Sequence, residues 1–202
     1  MHVYSDPATE RHVNDLAGVE SPKRLPAALA GVERAEHSGV LVERRPCSPA
    51  EREALTAVHD PPYLDDLQEM SAAGGGYLSL DTAVGAGSWE AALLASGAAC
   101  SALESVLAGE TAFAVARPPG HHAGRDYGMG FCLTNHAAVA AGLALSRGLE
   151  ESPSWTGTCT TATVPRISST VTVGYSTSRC IRVHSTLGRA RQVRWGKEKG
   201  LA

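Results

Sequence analysis

Two adjacent histidines, His121 and His122, are the residues of this chain best suited to chemistry. They follow Arg-Pro-Pro-Gly at residues 117–120 and precede Gly-Met-Gly-Phe-Cys at residues 128–132. The prolines and the glycine stiffen and turn the loop, so both imidazoles are presented from a fixed backbone. One imidazole can take a proton from water while the other donates a proton to a leaving group. The pattern therefore favours acid–base catalysis by a histidine pair.

A surface pair or one arm of a metal site is the alternative interpretation of these histidines. A metal site requires more His, Cys or Asp side chains at ligand spacing nearby. The neighbouring sequence offers only His136, which lies on a predicted helix. We interpret His136 as a neighbour of the helix cap or as a core histidine.

The elements that position this loop are predicted to be those of an α/β protein. Residues 112–116 form a continuous apolar run, which is typical of a buried parallel strand. The histidine loop follows this strand, and the carboxyl ends of parallel strands are where α/β proteins place their ligands. Residues 74–76, three glycines, are predicted to form a flexible turn. Helices are predicted at residues 21–36, from a capping box at Ser48–Glu51, at residues 62–73, from a Ser88 cap to residue 107, and at residues 135–146.

The composition is that of an ordinary globular chain, with 43% hydrophobic and 19% charged residues. No apolar run approaches the roughly 20 residues needed to cross a bilayer, and the N-terminus lacks the pattern of a secretory signal. We therefore expect a cytoplasmic protein without a membrane partner. The five cysteines are scattered and form no Cys-x-x-Cys motif, which indicates reduced structural thiols.

Charge divides the chain at about residue 150. Residues 1–150 hold 10 Lys and Arg against 19 Asp and Glu, a net charge of −9, whereas residues 151–202 hold 8 against 2, a net charge of +6. A basic tail can bind nucleic acid. Here the basic residues are interleaved with Ser and Thr and show no aromatic stacking pattern, so we predict no nucleic-acid partner.

The histidine loop resembles that of class II histone deacetylases and acetylpolyamine amidohydrolases. The resemblance continues at residues 20–25 (Glu-Ser-Pro-Lys-Arg-Leu), 58–64 (Val-His-Asp-Pro-Pro-Tyr-Leu) and 88–93 (Ser-Trp-Glu-Ala-Ala-Leu), and so covers about residues 20–150. It implies an arginase/deacetylase-like three-layer sandwich with a parallel sheet, incomplete in this chain. It also implies a zinc-dependent enzyme that hydrolyses acetylated lysine or acetylpolyamine.

Roles for individual residues come from the same resemblance. His121 and His122 are expected to be the general base and acid, or an electrostatic partner pair. Gly130 and Phe131 are expected to line a narrow acyl-lysine channel, and Asp81 falls where the family has a rim aspartate that grips the substrate backbone. The family's zinc ligands follow in an Asp-x-Asp-x-His-His-Gly segment, but this chain has no Asp after residue 126. We assign no metal ligand and expect the chain as written not to bind zinc.

A shifted reading frame would account for the missing segment. If the last base of each codon is read with the first two bases of the next, residues 154–166 can encode Val-Asp-Trp-Asp-Val-His-His-Gly-Asn-Gly-Thr-Gln. The same shift over residues 175–190 can encode Val-His-Gln and then Tyr-Pro-Gly-Thr-Gly. We therefore predict a one-base frameshift near codons 148–151. Residues 1–150 would be the N-terminal part of a deacetylase domain, and residues 151–202, of which 16 are Ser or Thr, a poorly ordered tail.

Three functional interpretations follow. The first is metal-dependent removal of an acyl group from an amine by the family enzyme, with the truncated chain itself inactive. The second is a non-catalytic remnant of the family or an enzyme of the acetylpolyamine amidohydrolase type. The third, an arginase-type manganese protein, is disfavoured by the Pro-Pro-Gly-His-His loop, although a fold alone does not exclude it.

Overall fold

The computed structural model describes residues 1–13, 20–148, 171–175 and 180–185 of the 202-residue chain. The strands are β1 (His2–Tyr4), β2 (Glu43–Arg45), β3 (Gly75–Ser79), β4 (Thr82–Gly85), β5 (Ala112–Val115), β6 (Val171–Tyr175) and β7 (Cys180–Ser185). The α-helices are α1 (Arg24–His37), α2 (Arg52–Thr56), α3 (Pro61–Ala72), α4 (Ser88–Leu107) and α5 (His136–Ser146), and a 3₁₀ helix spans Pro7–Arg11.

The main sheet has the strand order β2-β1-β5-β7-β6. Strand β1 lies in the middle of a parallel group, with β2 on one side and β5 on the other. Strand β7 is antiparallel to both β5 and β6. Strands β3 and β4 form a separate antiparallel pair. The predicted α/β class with a parallel sheet is confirmed.

Helices cover both faces of the parallel strands. Because side chains alternate along a strand, β1 and β5 each contribute to two different clusters. Val3 and Val115 pack with residues of α1, including Leu25. Tyr4 and Ala114, on the other face, pack with small and branched side chains of α4 and α5. Helix–sheet–helix layering is therefore built around β1 and β5, as expected for a three-layer sandwich.

The beginnings of several helices differ from the predictions. The capping box at Ser48 is wrong, because α2 starts at Arg52 after Glu51 and has no side-chain cap. Ser88 is not a cap either, since it lies in the first turn of α4, after the N-cap Gly87. Its hydroxyl oxygen instead accepts a hydrogen bond from the Gly85 N–H at 2.6 Å.

Two other local predictions have different outcomes. Gly75 and Gly76 belong to β3 instead of forming a flexible turn, because they pair with β4. Helix α5 agrees with the predicted range, since Asn135 is its N-cap and its side chain accepts a hydrogen bond from Ala138 N–H at 3.0 Å.

Helix α4 is long and apolar enough to cross a membrane by length and composition alone, contrary to the prediction that no run approaches that length. Most of this stretch is buried inside the protein. Its buried residues pack against β1, β5 and α5, which is the environment of a core helix.

Most of the predicted tail at residues 151–202 lies outside the described residues. Its described parts are strands β6 and β7. The predicted frameshift and the predicted lack of order in this segment therefore stay predictions.

Candidate active site

The histidine loop begins two residues after β5 and lies at the carboxyl end of the parallel strands. The ring centroids of His121 and His122 are 4.0 Å apart and the rings are tilted by 45°. His121 is buried, with 5% of its surface exposed, whereas His122 is only partly buried. The sequence-predicted pair is therefore brought together in a form that can divide proton work between two rings.

The His136 ring packs against the first half of the loop. One ring nitrogen, Nε2, is 3.1 Å from the Pro118 carbonyl oxygen, and the other, Nδ1, is 2.8 Å from the Ser96 hydroxyl. Burial lowers the pKa of His136 to about 4, so the ring is neutral near pH 7. A neutral ring satisfies both contacts by donating from Nε2 to the carbonyl and accepting the serine proton at Nδ1. The interpretation of His136 as a core histidine is confirmed.

Gly120 is required by the same packing. A Cβ atom at this position would lie 2.1 Å from Cδ2 of His136, which is well inside van der Waals contact. The loop backbone therefore rests directly on the imidazole of His136. This close approach explains why a glycine precedes the histidine pair.

A second set of hydrogen bonds supports the loop beyond the pair. The buried Asn135 side chain donates from Nδ2 to the Ala123 carbonyl at 3.1 Å, and its backbone N–H donates to Nε2 of His59 at 2.9 Å. Burial lowers the pKa of His59, which keeps its ring neutral and able to accept. Further along, Arg125 donates to Asp60 at 2.6 Å on the surface. The loop is thus tied to the start of α5 and to the segment before α3.

Gly130 and Phe131 form a turn with left-handed backbone angles. Their φ angles are +59° and +64°, a region that favours glycine and is uncommon for phenylalanine. The Gly130 N–H donates to the two carboxylate oxygens of Asp81 at 3.1 and 3.2 Å, and the Phe131 N–H donates to Thr82 Oγ1 at 2.9 Å. Gly130 also lies against the His122 ring, since a Cβ there would be 2.6 Å from Cδ2. The turn is therefore part of the same site as the histidines.

The Asp81 carboxylate accepts hydrogen bonds from other groups of the protein. Besides Gly130, the hydroxyls of Ser79 and Thr82 each donate to Oδ1 at 2.8 Å. Partial burial acts to raise the pKa of Asp81, but these hydrogen bonds together outweigh it and hold the pKa below its usual value. The structure thus places Asp81 beside Gly130, as a support for the turn. Its expected grip on a substrate backbone stays a prediction.

Comparison with known proteins agrees with this geometry. The family model of the histone deacetylase domain matches residues 18–151, which is more than half of the chain. The chain belongs to the histone deacetylase family. This match contains both histidines, the Gly130–Phe131 turn and Asp81.

Two curated relatives and one solved structure illustrate the family relationship. The chain is 44% identical over 108 residues to a histone deacetylase-like amidohydrolase of Pseudomonas aeruginosa, covering 52% of this chain and 28% of that protein. It is 44% identical over 72 residues to an acetylpolyamine amidohydrolase of Mycoplana ramosa, covering 35% and 21%. The crystal structure of the HDA15 HD domain superposes with a TM-score of 0.70 at 30% identity, covering 77% and 46%. The chain spans less than half the length of each.

The side chains of this family member do not fit a zinc site within the part of the chain that the structure describes. That part contains no group of three or more His, Cys, Asp or Glu side chains that could hold a metal ion. A catalytic zinc site needs three protein ligands besides its open position. The described donor set is therefore insufficient for zinc.

Cys132 was missed as a site residue by sequence reasoning. It is fully buried, and its sulfur accepts a hydrogen bond from the His121 backbone N–H at 3.4 Å and donates to the Gly130 carbonyl oxygen at 3.3 Å. The thiol thus joins the first histidine to the turn. The sequence signal that could have identified Cys132 was its position directly after Phe131, a predicted site residue.

Proposed function

We propose that the chain is the N-terminal part of a deacetylase domain that hydrolyses the amide of an acetylated amine. One observation carries the proposal: a rigidly supported histidine pair lies at the carboxyl end of β5 in a chain that belongs to the histone deacetylase family. Amide hydrolysis requires that a water lose a proton and that the leaving amine gain one. Two adjacent imidazoles at the ligand-binding edge of a parallel sheet suit these two transfers.

The two histidines have different environments and therefore different expected roles. His122 is the more exposed ring and lies against Gly130, so we assign it the proton transfers at the substrate side. His121 is buried, and its Nδ1 lies 4.0 Å from the Cys132 sulfur. We assign His121 the role of electrostatic partner to His122. Phe131 would provide an apolar wall of the acyl channel, where exclusion of water strengthens electrostatic interactions.

Acetyl-lysine and acetylpolyamines are the substrate classes that the relatives' names suggest. Both products are cationic amines. Residues 1–150 carry a net charge of −9, which would attract a cationic product or a polyamine with a second charged amine. We favour acetylated amines as the substrate class, and the assay decides between acetyl-lysine and acetylpolyamines.

We further propose that the family enzyme depends on zinc and that the 202-residue polypeptide by itself is inactive. The chain has no Asp after residue 126, whereas the shifted frame over residues 154–166 can encode an Asp-x-Asp-x-His-His-Gly string. The zinc ligands would then be encoded in the gene but absent from the polypeptide as written.

The test compares the 202-residue polypeptide with the protein encoded after correction of the frame. We expect one zinc per chain and hydrolysis of a fluorogenic acetyl-lysine amide or an acetylpolyamine only for the corrected protein. Stoichiometric zinc and turnover in the 202-residue polypeptide would contradict the proposal. Resequencing across codons 148–154 gives an independent answer, since codons incompatible with the shifted reading would remove the frameshift.

Variants of the corrected protein test the histidine assignment. His122→Ala should lower kcat by about 10²–10⁴-fold, which is the usual contribution of general acid–base catalysis, and His121→Ala should lower kcat by removing the support of its neighbour. His37→Ala is the matched control, because His37 is an exposed histidine at the end of α1. Near-normal turnover in both loop variants would refute the assignment.

A further inference from the structure

A buried ion pair joins the histidine loop to the segment before α1. Arg117 donates from Nε to Oε1 of Glu20 and from Nη2 to Oε2, both at 2.6 Å. The Arg117 side chain is 4% exposed and the Glu20 side chain 0% exposed. Two parallel charge-assisted hydrogen bonds fix the direction of the guanidinium as well as its distance. The pair links residues 97 positions apart in the sequence.

His12 lies beside this pair but does not neutralise it. Its Nε2 is 3.7 Å from Oε2 of Glu20, and its Nδ1 is 2.8 Å from the Ser88 hydroxyl. Burial is the main effect that lowers the pKa of His12 to about 4, against the opposing influence of Glu20. The ring is therefore neutral near pH 7, and within the described residues Arg117 is the charged group that balances Glu20.

The position of Arg117 gives this pair its significance. Arg117 is the first residue of the histidine loop, two residues after β5 and four residues before His121. The other contacts of the loop act further along, from His136 to Pro118 and Gly120 and from Asn135 to Ala123. A buried ion pair adds little net stability compared with apolar side chains of the same size, but it strongly restricts geometry. The entry of the loop is thus oriented by a group from outside the loop.

We propose that Glu20 is a positioning residue that sets the orientation of the His121–His122 pair through Arg117. This inference rests on the proposed acid–base function of that pair. It extends the functional site to the N-terminal segment of the chain. The readout must therefore be the histidine rings themselves, because catalytic activity would mix this inference with the proposed function.

The experiment uses the full 202-residue chain with ¹⁵N-labelled histidine and records the ring nitrogen resonances by NMR. The variants are Glu20→Gln, Arg117→Lys and the double apolar variant Glu20→Leu/Arg117→Met. Glu104→Gln is the matched control, because it also removes the carboxylate of a Glu–Arg ion pair, but that pair, with Arg147, is exposed and does not include a residue of the histidine loop. Circular dichroism establishes which variants retain the fold.

We expect the His121 and His122 resonances to move in every folded variant by more than they move in the Glu104→Gln control. The His37 resonances should stay in place throughout. The double variant is decisive, because it can recover stability by removing both charges without restoring the forked geometry. Unchanged His121 and His122 resonances in a folded variant would overturn the proposal. Loss of the fold in all three variants would also overturn it, by assigning the pair to global stability.

Discussion

Replacement of Asp81 by alanine separates two roles for this carboxylate. If Asp81 only grips substrate, Asp81→Ala leaves the fold intact. In the structure, however, its two oxygens receive the Gly130 N–H and the hydroxyls of Ser79 and Thr82. The substitution would remove the carboxylate that accepts the Gly130 N–H and so weaken the support of this left-handed turn, whereas the Phe131 N–H would keep Thr82 Oγ1 as its acceptor.

The magnitude follows from the hydrogen bonds that are lost. A hydrogen bond to a charged group contributes about 1.5–3 kcal/mol, and the serine and threonine hydroxyls can turn toward water because Asp81 is only half-buried. We therefore expect a loss of about 1.5–2 kcal/mol in the free energy of unfolding, near the lower end of that range. For a chain of this size each kcal/mol corresponds to about 2–4 °C, so Tm should fall by about 3–8 °C.

The assay is thermal unfolding followed by circular dichroism at neutral pH. Asp126→Ala is the matched control, because Asp126 is an exposed aspartate in the histidine loop. Acid should weaken the same contact: the pKa of Asp81 is lowered in the fold, so its contribution is complete above the unfolded-state pKa and is lost as pH falls through the folded-state value. A Tm for Asp81→Ala equal to that of the control would refute this account of the turn.

Further substitutions test neighbouring contacts. Gly130→Ala should cost more stability than Gly39→Ala, since both have positive φ but only Gly130 would bring a Cβ to 2.6 Å from the His122 ring. Equal Tm losses would contradict this packing. Tyr63→Phe should lower the free energy of unfolding by about 1–3 kcal/mol in urea, because it strands a buried carbonyl that the hydroxyl reaches at 2.6 Å. His136 has a folded pKa of about 4 against about 6.5 unfolded, so stability should fall below about pH 6.5 by up to about 1.4 kcal/mol per pH unit. A folded His136→Gln variant with the same slope between about pH 6 and 4.5 would exclude this origin.

The parts of the fold that the sequence predicted well are those decided by local patterns. Strand β5 is a continuous apolar run between polar residues, and α5 combines an asparagine cap with an apolar stretch. Both agree with the structure to within one residue. Helix α4 has the predicted extent because its Ala/Leu-rich sequence favours helix at nearly every position, whichever residue provides the cap.

The elements that sequence reasoning missed depend on distant partners. Strand β2 is only three residues long, charged and largely exposed, and it is a strand because β1 pairs with it. The failure at Ser48 has a similar cause. The Ala50 N–H donates to the Leu93 carbonyl at 2.9 Å, so this segment is held by α4 and the helix begins later. Local capping preference is a weak influence when tertiary hydrogen bonds compete with it.

The same distinction applies to the candidate site. The histidine pair was found because its chemistry and its stiff loop are contiguous in sequence. The residues that support the pair were not found, because they are distant in sequence: Glu20 is 97 residues from Arg117, and Thr82 is 49 residues from Phe131. Such partners become visible only when the fold brings them together. Asp81 was selected for another reason, the resemblance to the family, and in the structure its carboxylate accepts hydrogen bonds from Gly130 and Thr82.

Several contacts that position the histidine loop are separate in sequence from the segment in which we propose the zinc ligands to be encoded. Among the described residues, Glu20, His59, Asp81 and His136 each contribute a contact that supports the histidine loop, and all four precede residue 148. None of these contacts uses a residue downstream of the proposed frameshift. The proposed shift of frame near codons 148–151 would leave them in place while it removed the donors of the proposed zinc site. We therefore expect these four contacts to be the same in the 202-residue polypeptide and in the frame-corrected protein, with metal content and turnover as the proposed difference.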